Sequence, residues 1–227
     1  MTSTMFWLAC VAGLAVAYLL GSLPTGYIAG KLLRGIDIRA HGSGSTGATN
    51  VLRILGKGPA LAVFLIDVLK GAAAIGFARW FYPWLSTFFP VTSPASFDPQ
   101  ALAPWMVCLA GLAALVGHGR SVWLNFTGGK SVATGLGVLL AMAWPVGVGG
   151  LAVFAAVVAV SRIVSLGSML AALTAIVLVC VIDQPMPYRL LVIAGGIYVI
   201  VRHRANIQRL LAGTEARVTF GSDARAH

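Results

Sequence analysis

Apolar runs recur along this chain at 5–30, 59–80, 101–119, 131–143, 145–161, 165–182 and 187–201, most of them close to the length that carries an α-helix across a lipid bilayer. A helix satisfies its backbone polar groups internally, so a run of this kind is stable in lipid and not in water. Of the 227 residues 59% are hydrophobic and 10% charged, whereas soluble domains carry about a quarter charged residues. Such a stock excludes a soluble enzyme, a disulfide-rich secreted domain and a disordered chain. Cys10, Cys108 and Cys180 each fall in a different apolar run, spaced for neither a disulfide nor a metal site, and read as small packing residues.

The stretch from 131 to 161 is apolar throughout, and Pro145 decides the count of helices: its ring breaks a helix and lacks an N–H, so two helices are expected there. Without the split the total is six; with it, seven. Charge tests the choice. Seven crossings collect Lys31, Arg34, Arg39, Arg53, Lys57, Arg120, Lys130, Arg162, Arg202, Arg204, Arg209, Arg217 and Arg225 on one face, thirteen of the 16 basic residues. The other face then holds the loop 81–100, free of Lys and Arg, and short turns at Pro145 and 183–187. By the positive-inside rule the basic face is cytoplasmic. Six crossings would put Arg162 and the basic tail on opposite faces. The expectation is therefore an all-α polytopic membrane protein of one domain, residues 1–227, with seven transmembrane helices. Its N-terminus is outside, and its C-terminus and short basic tail, 202–227, are cytoplasmic. No Lys or Arg precedes the first run, so it reads as a retained helix and not a cleaved signal.

The net charge of +10 belongs to segments beside apolar spans, where anionic headgroups and not nucleic acid are the expected partner. Trp80, Tyr82, Trp84 and Trp105 suit an interfacial aromatic belt, and Gly26 and Gly30, four apart, suit a close helix crossing.

Function should lie where polar residues concentrate, and three cytoplasmic segments qualify. The first is 41–58. Gly42, Gly44 and Gly47 spell G-x-G-x-x-G, but membrane helices flank them where a dinucleotide site needs a βαβ unit. What remains is glycine-permitted convergence of backbone N–H groups, with the hydroxyls of Ser43, Ser45, Thr46 and Thr49, followed by Asn50 and Arg53. A flexible linker is the bland alternative. The second is 117–131. Leu124 stands where a Walker A loop needs glycine, yet Gly128, Gly129, Lys130 and Ser131 open a helix and seat an ammonium beside its positive end, which favours phosphate. A capped helix with a snorkelling lysine is the alternative. The third is 202–211, where His203 and Asn206 share a helix face near Arg202 and Arg209; an interfacial basic helix competes with function there. Asp67 and Lys70 form an intramembrane pair, and Ser165 and Ser168 can add polar groups at the foot of their span. No carboxylates gather in the loops to hold metals, and the H-x-x-x-x-D pattern of common glycerolipid acyltransferases is absent: Thr46, Trp123 and Gln208 stand five residues after His41, His118 and His203.

Together 21–27, 42–51 with Arg53, 128–134, 162–168 and 203–207 occur in an order that resembles the acyl-phosphate:glycerol-3-phosphate acyltransferases (PlsY type) over nearly the whole chain. Ser45 stands where that family commonly has Asn, and Ser131 where it commonly has Gly. The resemblance implies a multi-pass enzyme of the bacterial inner membrane with its site facing the cytoplasm. It moves a fatty acyl group from acyl phosphate to sn-glycerol 3-phosphate, giving lysophosphatidate and phosphate, with no cofactor and no metal. A soluble acyl-phosphate synthase is implied as supplier of the donor. Catalytic candidates are Ser43, Arg53, Lys130, His203 and Asn206. Substrate-binding candidates are Gly42, Ser43, Gly44, Ser45, Gly47, Thr49 and Asn50 around the acyl phosphate, and Gly128, Gly129, Lys130 and Ser131. Lys130, Arg53, His203 and Asn206 are expected to hold glycerol 3-phosphate. Both His203 and a substrate phosphate oxygen are candidates for the base. A small transporter of organic phosphates is the competing class; it would need a polar pathway on both faces.

Overall fold

The computed structural model describes residues 2–88 and 99–218, and its regular elements there are all helical. Helix α1 (Thr2–Ser22) breaks at Leu23 and Pro24 before α2 (Thr25–Arg34), because Pro24 cannot donate and disfavours helix at the residue before it. A 3-10 turn (Ile38–Ala40), α3 (Ala48–Leu55) and α4 (Lys57–Phe88) follow. Then come α5 (Pro99–Gly119), a second 3-10 turn (Val122–Leu124), α6 (Val132–Met142) and α7 (Trp144–Ser161). The chain continues through α8 (Val164–Val181), α9 (Met186–Arg202) and α10 (Arg204–Leu211).

Apolar helices occupy each interval expected. Five stretches, 4–34, α4, 102–119, α7 and α8, are long and apolar enough to cross a membrane by themselves, and α9 with α10 makes a sixth if their 55° bend is counted within one span. Helix α6 is shorter: its 11 residues rise roughly 16 Å, about half of the hydrocarbon thickness. The 131–161 stretch is divided, with Ala143 non-helical at φ −146° and Pro145 in the first turn of α7, where its missing N–H costs nothing. Arg79 serves that break. Its guanidinium donates to the carbonyls of Ala141 (2.6 Å) and Met142 (3.0 Å), which the end of α6 leaves without helical partners.

Glycines set the close crossings, at positions the sequence did not single out. A Cβ on Gly21 would strike the backbone of Ala114, and one on Gly117 the backbone near Ser22, which locks α1 to α5; Gly71 and Gly137 do the same for α4 and α6. Gly26 and Gly30 instead face the Thr46 carbonyl and the Ile36–Ile38 segment, so they seat a loop and not a second span. Large apolar residues such as Leu8, Leu69, Val160 and Val181 are exposed, as a lipid-facing surface requires.

Three expectations change. Helix α4 runs on past Trp80 to Phe88, and residues 89–98 of the expected loop lie outside the described residues. Tyr82 is buried and donates to the Cys10 carbonyl (3.2 Å), tying α4 to α1 where an interfacial anchor was expected; Trp80, Trp84 and Trp105 are exposed. Cys180 is exposed, whereas Cys10 and Cys108 are buried.

Candidate functional site

The break between α1 and α2 creates the first buried polar cluster. The Lys70 ammonium donates to the Leu23 carbonyl (2.8 Å), which also accepts from the Thr25 N–H (3.0 Å), and lies 2.7 Å from Asp67, while the Thr25 hydroxyl donates to the same carboxylate (2.7 Å). The expected pair is thus real, and it is fastened to the bend in the first span. On the other side His118 Nδ1 lies 3.6 Å from Asp67 and 3.1 Å from the Thr134 hydroxyl. The His118 backbone and ring fill the space a Cβ would need at Gly128 and Gly129, and the Gly129 N–H donates to the His118 carbonyl (3.2 Å). Asp67 therefore lies between the element that leads to the first polar loop and the element that carries Lys130.

The first loop is built around Asn50. Its side chain accepts from the Ser43 N–H (2.8 Å) and turns its amide nitrogen to the carbonyls of Ile38, His41 and Ser45, at 2.9 to 3.0 Å. Gly42 (φ 59°) and Gly44 (φ 68°) adopt the left-handed conformation that this wrap demands. Gly47, in extended conformation, caps α3. The loop spends several of the N–H groups expected to face an anion on itself: Ser43 on Asn50, Gly44 on the His41 carbonyl (3.1 Å), and Gly47 on the Ser45 hydroxyl (3.3 Å). Arg39 bridges to the second segment through the Thr127 hydroxyl (2.9 Å).

The three segments meet. One cavity of about 760 Å³ is lined by Ser43, Ser45, Gly47, Thr49, Asn50 and Arg53 from the first, Lys130 and Ser131 from the second, and His203 and Asn206 from the third. Gly42, Gly44, Gly128 and Gly129 are not among its lining residues; they shape the loops behind it. Ser131 contributes no free hydroxyl, since it is fully buried and donates to the Leu115 carbonyl (2.8 Å).

Lys130 donates to Asn206 Oδ1, and the Asn206 amide donates in turn to Glu215 (2.6 Å). Glu215 also accepts from Ser165 (2.7 Å) and from Arg209 Nε (2.7 Å). This carboxylate, one of two acids in the basic tail with Asp223, was missed from sequence; its local signal was standing six residues after Arg209. The tail folds back over the α7–α8 corner, where the Val218 N–H donates to the Arg162 carbonyl (2.7 Å), and so delivers Glu215 to the cavity wall. Asp67, His118, Ser165 and Ser168 line the same cavity. Burial alone would raise the Glu215 carboxyl, but the bonds from Ser165, Asn206 and Arg209 together hold it below its ordinary range. Burial pushes the Lys130 ammonium down to about 8, with Glu215 opposing and Arg209, Arg53 and Arg202 adding to the fall. His203 Nδ1 lies 2.7 Å from the Val199 carbonyl, which can only accept; Nδ1 therefore carries the proton and Nε2 offers a lone pair when the ring is neutral. Among the described residues no three His, Cys, Asp or Glu side chains gather to hold a metal.

Below this cavity lies a second, of about 800 Å³ and almost wholly apolar, between α6, α7, α8 and α9. The two share Phe64, Ser131, Val132, Ala133, Phe154 and Ser168, so the polar chamber and the apolar one adjoin across these residues. A lysine, arginine and histidine gathered beside an apolar cleft, within a helical membrane body, define an integral membrane protein whose site sets anion-binding groups against an apolar surface.

Comparison with known proteins gives the family. The family model described as glycerol-3-phosphate acyltransferase matches residues 11–213, and the chain belongs to that family. It is 72% identical over 214 residues, 94% of this chain and 98% of the relative, to glycerol-3-phosphate acyltransferase 2 of Rhizobium johnstonii. It is 56% identical over 213 residues, 93% of each chain, to the glycerol-3-phosphate acyltransferase of Trichormus variabilis. Among solved structures it resembles PlsY (YgiH), an integral membrane glycerol 3-phosphate acyltransferase. The glycerol 3-phosphate form matches with a TM-score of 0.77 at 36% identity, covering 92% of this chain and 96% of that one. The lysophosphatidic acid form matches with a TM-score of 0.74, also at 36% identity, covering 92% and 95%.

Proposed function

We propose that this protein transfers a fatty acyl group from acyl phosphate to sn-glycerol 3-phosphate, giving 1-acyl-sn-glycerol 3-phosphate and inorganic phosphate, as an acylation step of phospholipid synthesis. The observation that carries the reading is the union of a basic chamber with an apolar cleft, because the donor joins a phosphate head to an acyl tail. An acyl phosphate is a mixed anhydride and already activated, so positioning and charge stabilisation suffice without a covalent enzyme intermediate. The acceptor hydroxyl oxygen attacks the carbonyl carbon, the bond from that carbon to the phosphate oxygen breaks, and phosphate departs with its electron pair. The first loop, through Ser43, Ser45, Thr49 and the first turn of α3, holds the donor phosphate. Lys130, Arg53 and His203 hold glycerol 3-phosphate. Asn206, engaged at both ends of its amide, keeps Lys130 in place as well as facing the acceptor. The hydroxyl proton goes to His203 Nε2 or to a phosphate oxygen of a substrate.

Seven crossings, with the N-terminus outside and the cavity and C-terminus in the cytoplasm of a bacterium bounded by an inner membrane, complete the reading. Its support is geometric: the end of α1, the start of α4, the end of α5, the starts of α6 and α8 and the end of α9 all supply residues at or beside the one cavity. Helix α6 then leaves that face and α7 returns to it. The donor, made in the cytoplasm, is supplied by a soluble acyl-phosphate synthase. Transport of organic phosphate is the second reading, and the apolar cleft beneath the basic chamber speaks against it, since a transported phosphate needs polar groups along its whole route. The purified protein in detergent, given acyl phosphate and glycerol 3-phosphate, releases phosphate and lysophosphatidate in equal amounts. Glycerol-phosphate flux into sealed vesicles without that product would favour transport.

A further inference from the structure

The apolar cleft is lined by one stripe from each of three helices: Gly147, Gly150 and Phe154 on α7, Ser168, Ala171 and Ala175 on α8, and Leu191, Gly195 and Val199 on α9, with α6 closing the fourth side. Its glycines fall into two kinds. Gly147 is required by packing, because a Cβ there would come within 2.8 Å of the Leu140 backbone nitrogen, and a Cβ at Gly196, 2.7 Å from the tip of the Ile176 side chain, would displace that side chain. Gly135, Gly150 and Gly195 are under no such constraint. A Cβ at these positions would come no nearer than 3.5 Å to Leu115, 3.5 Å to the Ala171 carbonyl and 3.4 Å to Leu115, which is ordinary contact. Glycine weakens a helix interior relative to alanine, and nothing in the packing asks for it at these three positions. What their bare backbones do is leave the cleft open.

They do so about one turn in from the mouth. Gly135 follows Val132 by three residues, Gly150 precedes Phe154 by four, and Gly195 precedes Val199 by four. Val132 and Phe154 belong to both chambers, and Val199 is the last cleft residue on α9 before His203. A turn rises about 5.4 Å, and an extended carbon chain advances roughly 1.25 Å per atom from its bond length and angle, so the three glycines meet a tail about four carbons below the mouth.

We infer that Gly135, Gly150 and Gly195 determine which acyl chains the enzyme accepts, by keeping the bore wide enough for a long tail to pass. The inference rests on acyl phosphate being the donor, and its test separates the two. Donors of different length, butanoyl and hexadecanoyl phosphate, are compared by kcat/KM for lysophosphatidate formation in the wild-type protein and in Gly150→Val and Gly195→Val, which act from different helices. The ratio of long-chain to short-chain kcat/KM falls at least about tenfold in each valine variant. Gly150→Ala and Gly195→Ala, adding one methyl group at ordinary contact distance, move the ratio in the same direction by less. The short donor serves as the internal check on folding. A ratio equal to the wild-type value in the valine variants would overturn the inference alone, as would a loss uniform across chain length in both the valine and the alanine sets. No lysophosphatidate from the wild-type protein with either donor would overturn the donor reading, and the inference with it.

Discussion

At the scale of single residues the site turns on Lys130, whose ammonium is held by Asn206 and lowered to about 8 by burial first. A lysine with a lowered value is cationic below it and neutral above, so its pull on a phosphate dianion is complete at pH 7 and fades as pH rises through 8. The expected result is a KM for glycerol 3-phosphate that climbs above about pH 8, and Lys130→Arg moves that limb upward because a guanidinium stays charged. Lys130→Ala lowers kcat/KM by roughly a hundredfold or more while leaving the far-ultraviolet spectrum and the elution volume of the detergent complex unchanged; near-normal activity would remove Lys130 from the site. His203 asks a different question. Its Nε2 can accept a proton, and burial first, then the Lys130 charge, pushes the ring down to about 4, so as the base His203 gives the pH–rate profile an acidic limb near pH 4 that His203→Ala abolishes; a limb left in place assigns the proton to a substrate phosphate. Lys130 and His203 were legible in sequence because Gly-Gly-Lys before a helix, and a histidine three residues from an asparagine, are local patterns. Glu215 was not, because its partners Ser165 and Asn206 are 50 and 9 residues away.

Among the elements, α4 joins the polar parts of the molecule through one buried ion pair. Asp67 meets Lys70, Thr25 and His118, and Lys70 also donates to the Leu23 carbonyl at the break between α1 and α2. A charge left alone in that setting costs about 3–5 kcal/mol. Asp67→Asn and Lys70→Met should each lower the thermal unfolding temperature in detergent, and the double variant should lose less than the sum of the two. Additive losses would show that the pair is not coupled. The helix breaks were predictable to different degrees. Pro145 announced the α6–α7 turn, because proline's geometry is local; the length of α4 was not announced, because aromatic residues that suit an interface also suit the row of Trp80, stacked on Trp84, and Phe88, edge-on to Trp84, along one helix face.

For the whole molecule, the expected arrangement has every polar segment on the cytoplasmic side. Single cysteines introduced at Arg204 and Thr87 in a Cys180→Ala background check it: a membrane-impermeant maleimide should label the first only in inside-out vesicles and the second only in right-side-out ones. Both labelled from one side would overturn the seven-crossing reading. The amino-acid sequence alone determined that the chain is built for lipid, where its main apolar helices fall, which three segments concentrate polar residues and which family it resembles, since composition, proline breaks and short polar motifs are properties of neighbouring residues. Only the tertiary structure decided that Gly42, Gly44, Gly128 and Gly129 stand behind the cavity and not in it, that Asn50 spends its side chain on its own loop, and that Glu215 anchors Asn206 beneath Lys130. It likewise decided that a basic chamber adjoins an apolar cleft. The physical reason is range: each of these depends on which distant backbone a side chain meets once the helices have packed, and no local spacing encodes that.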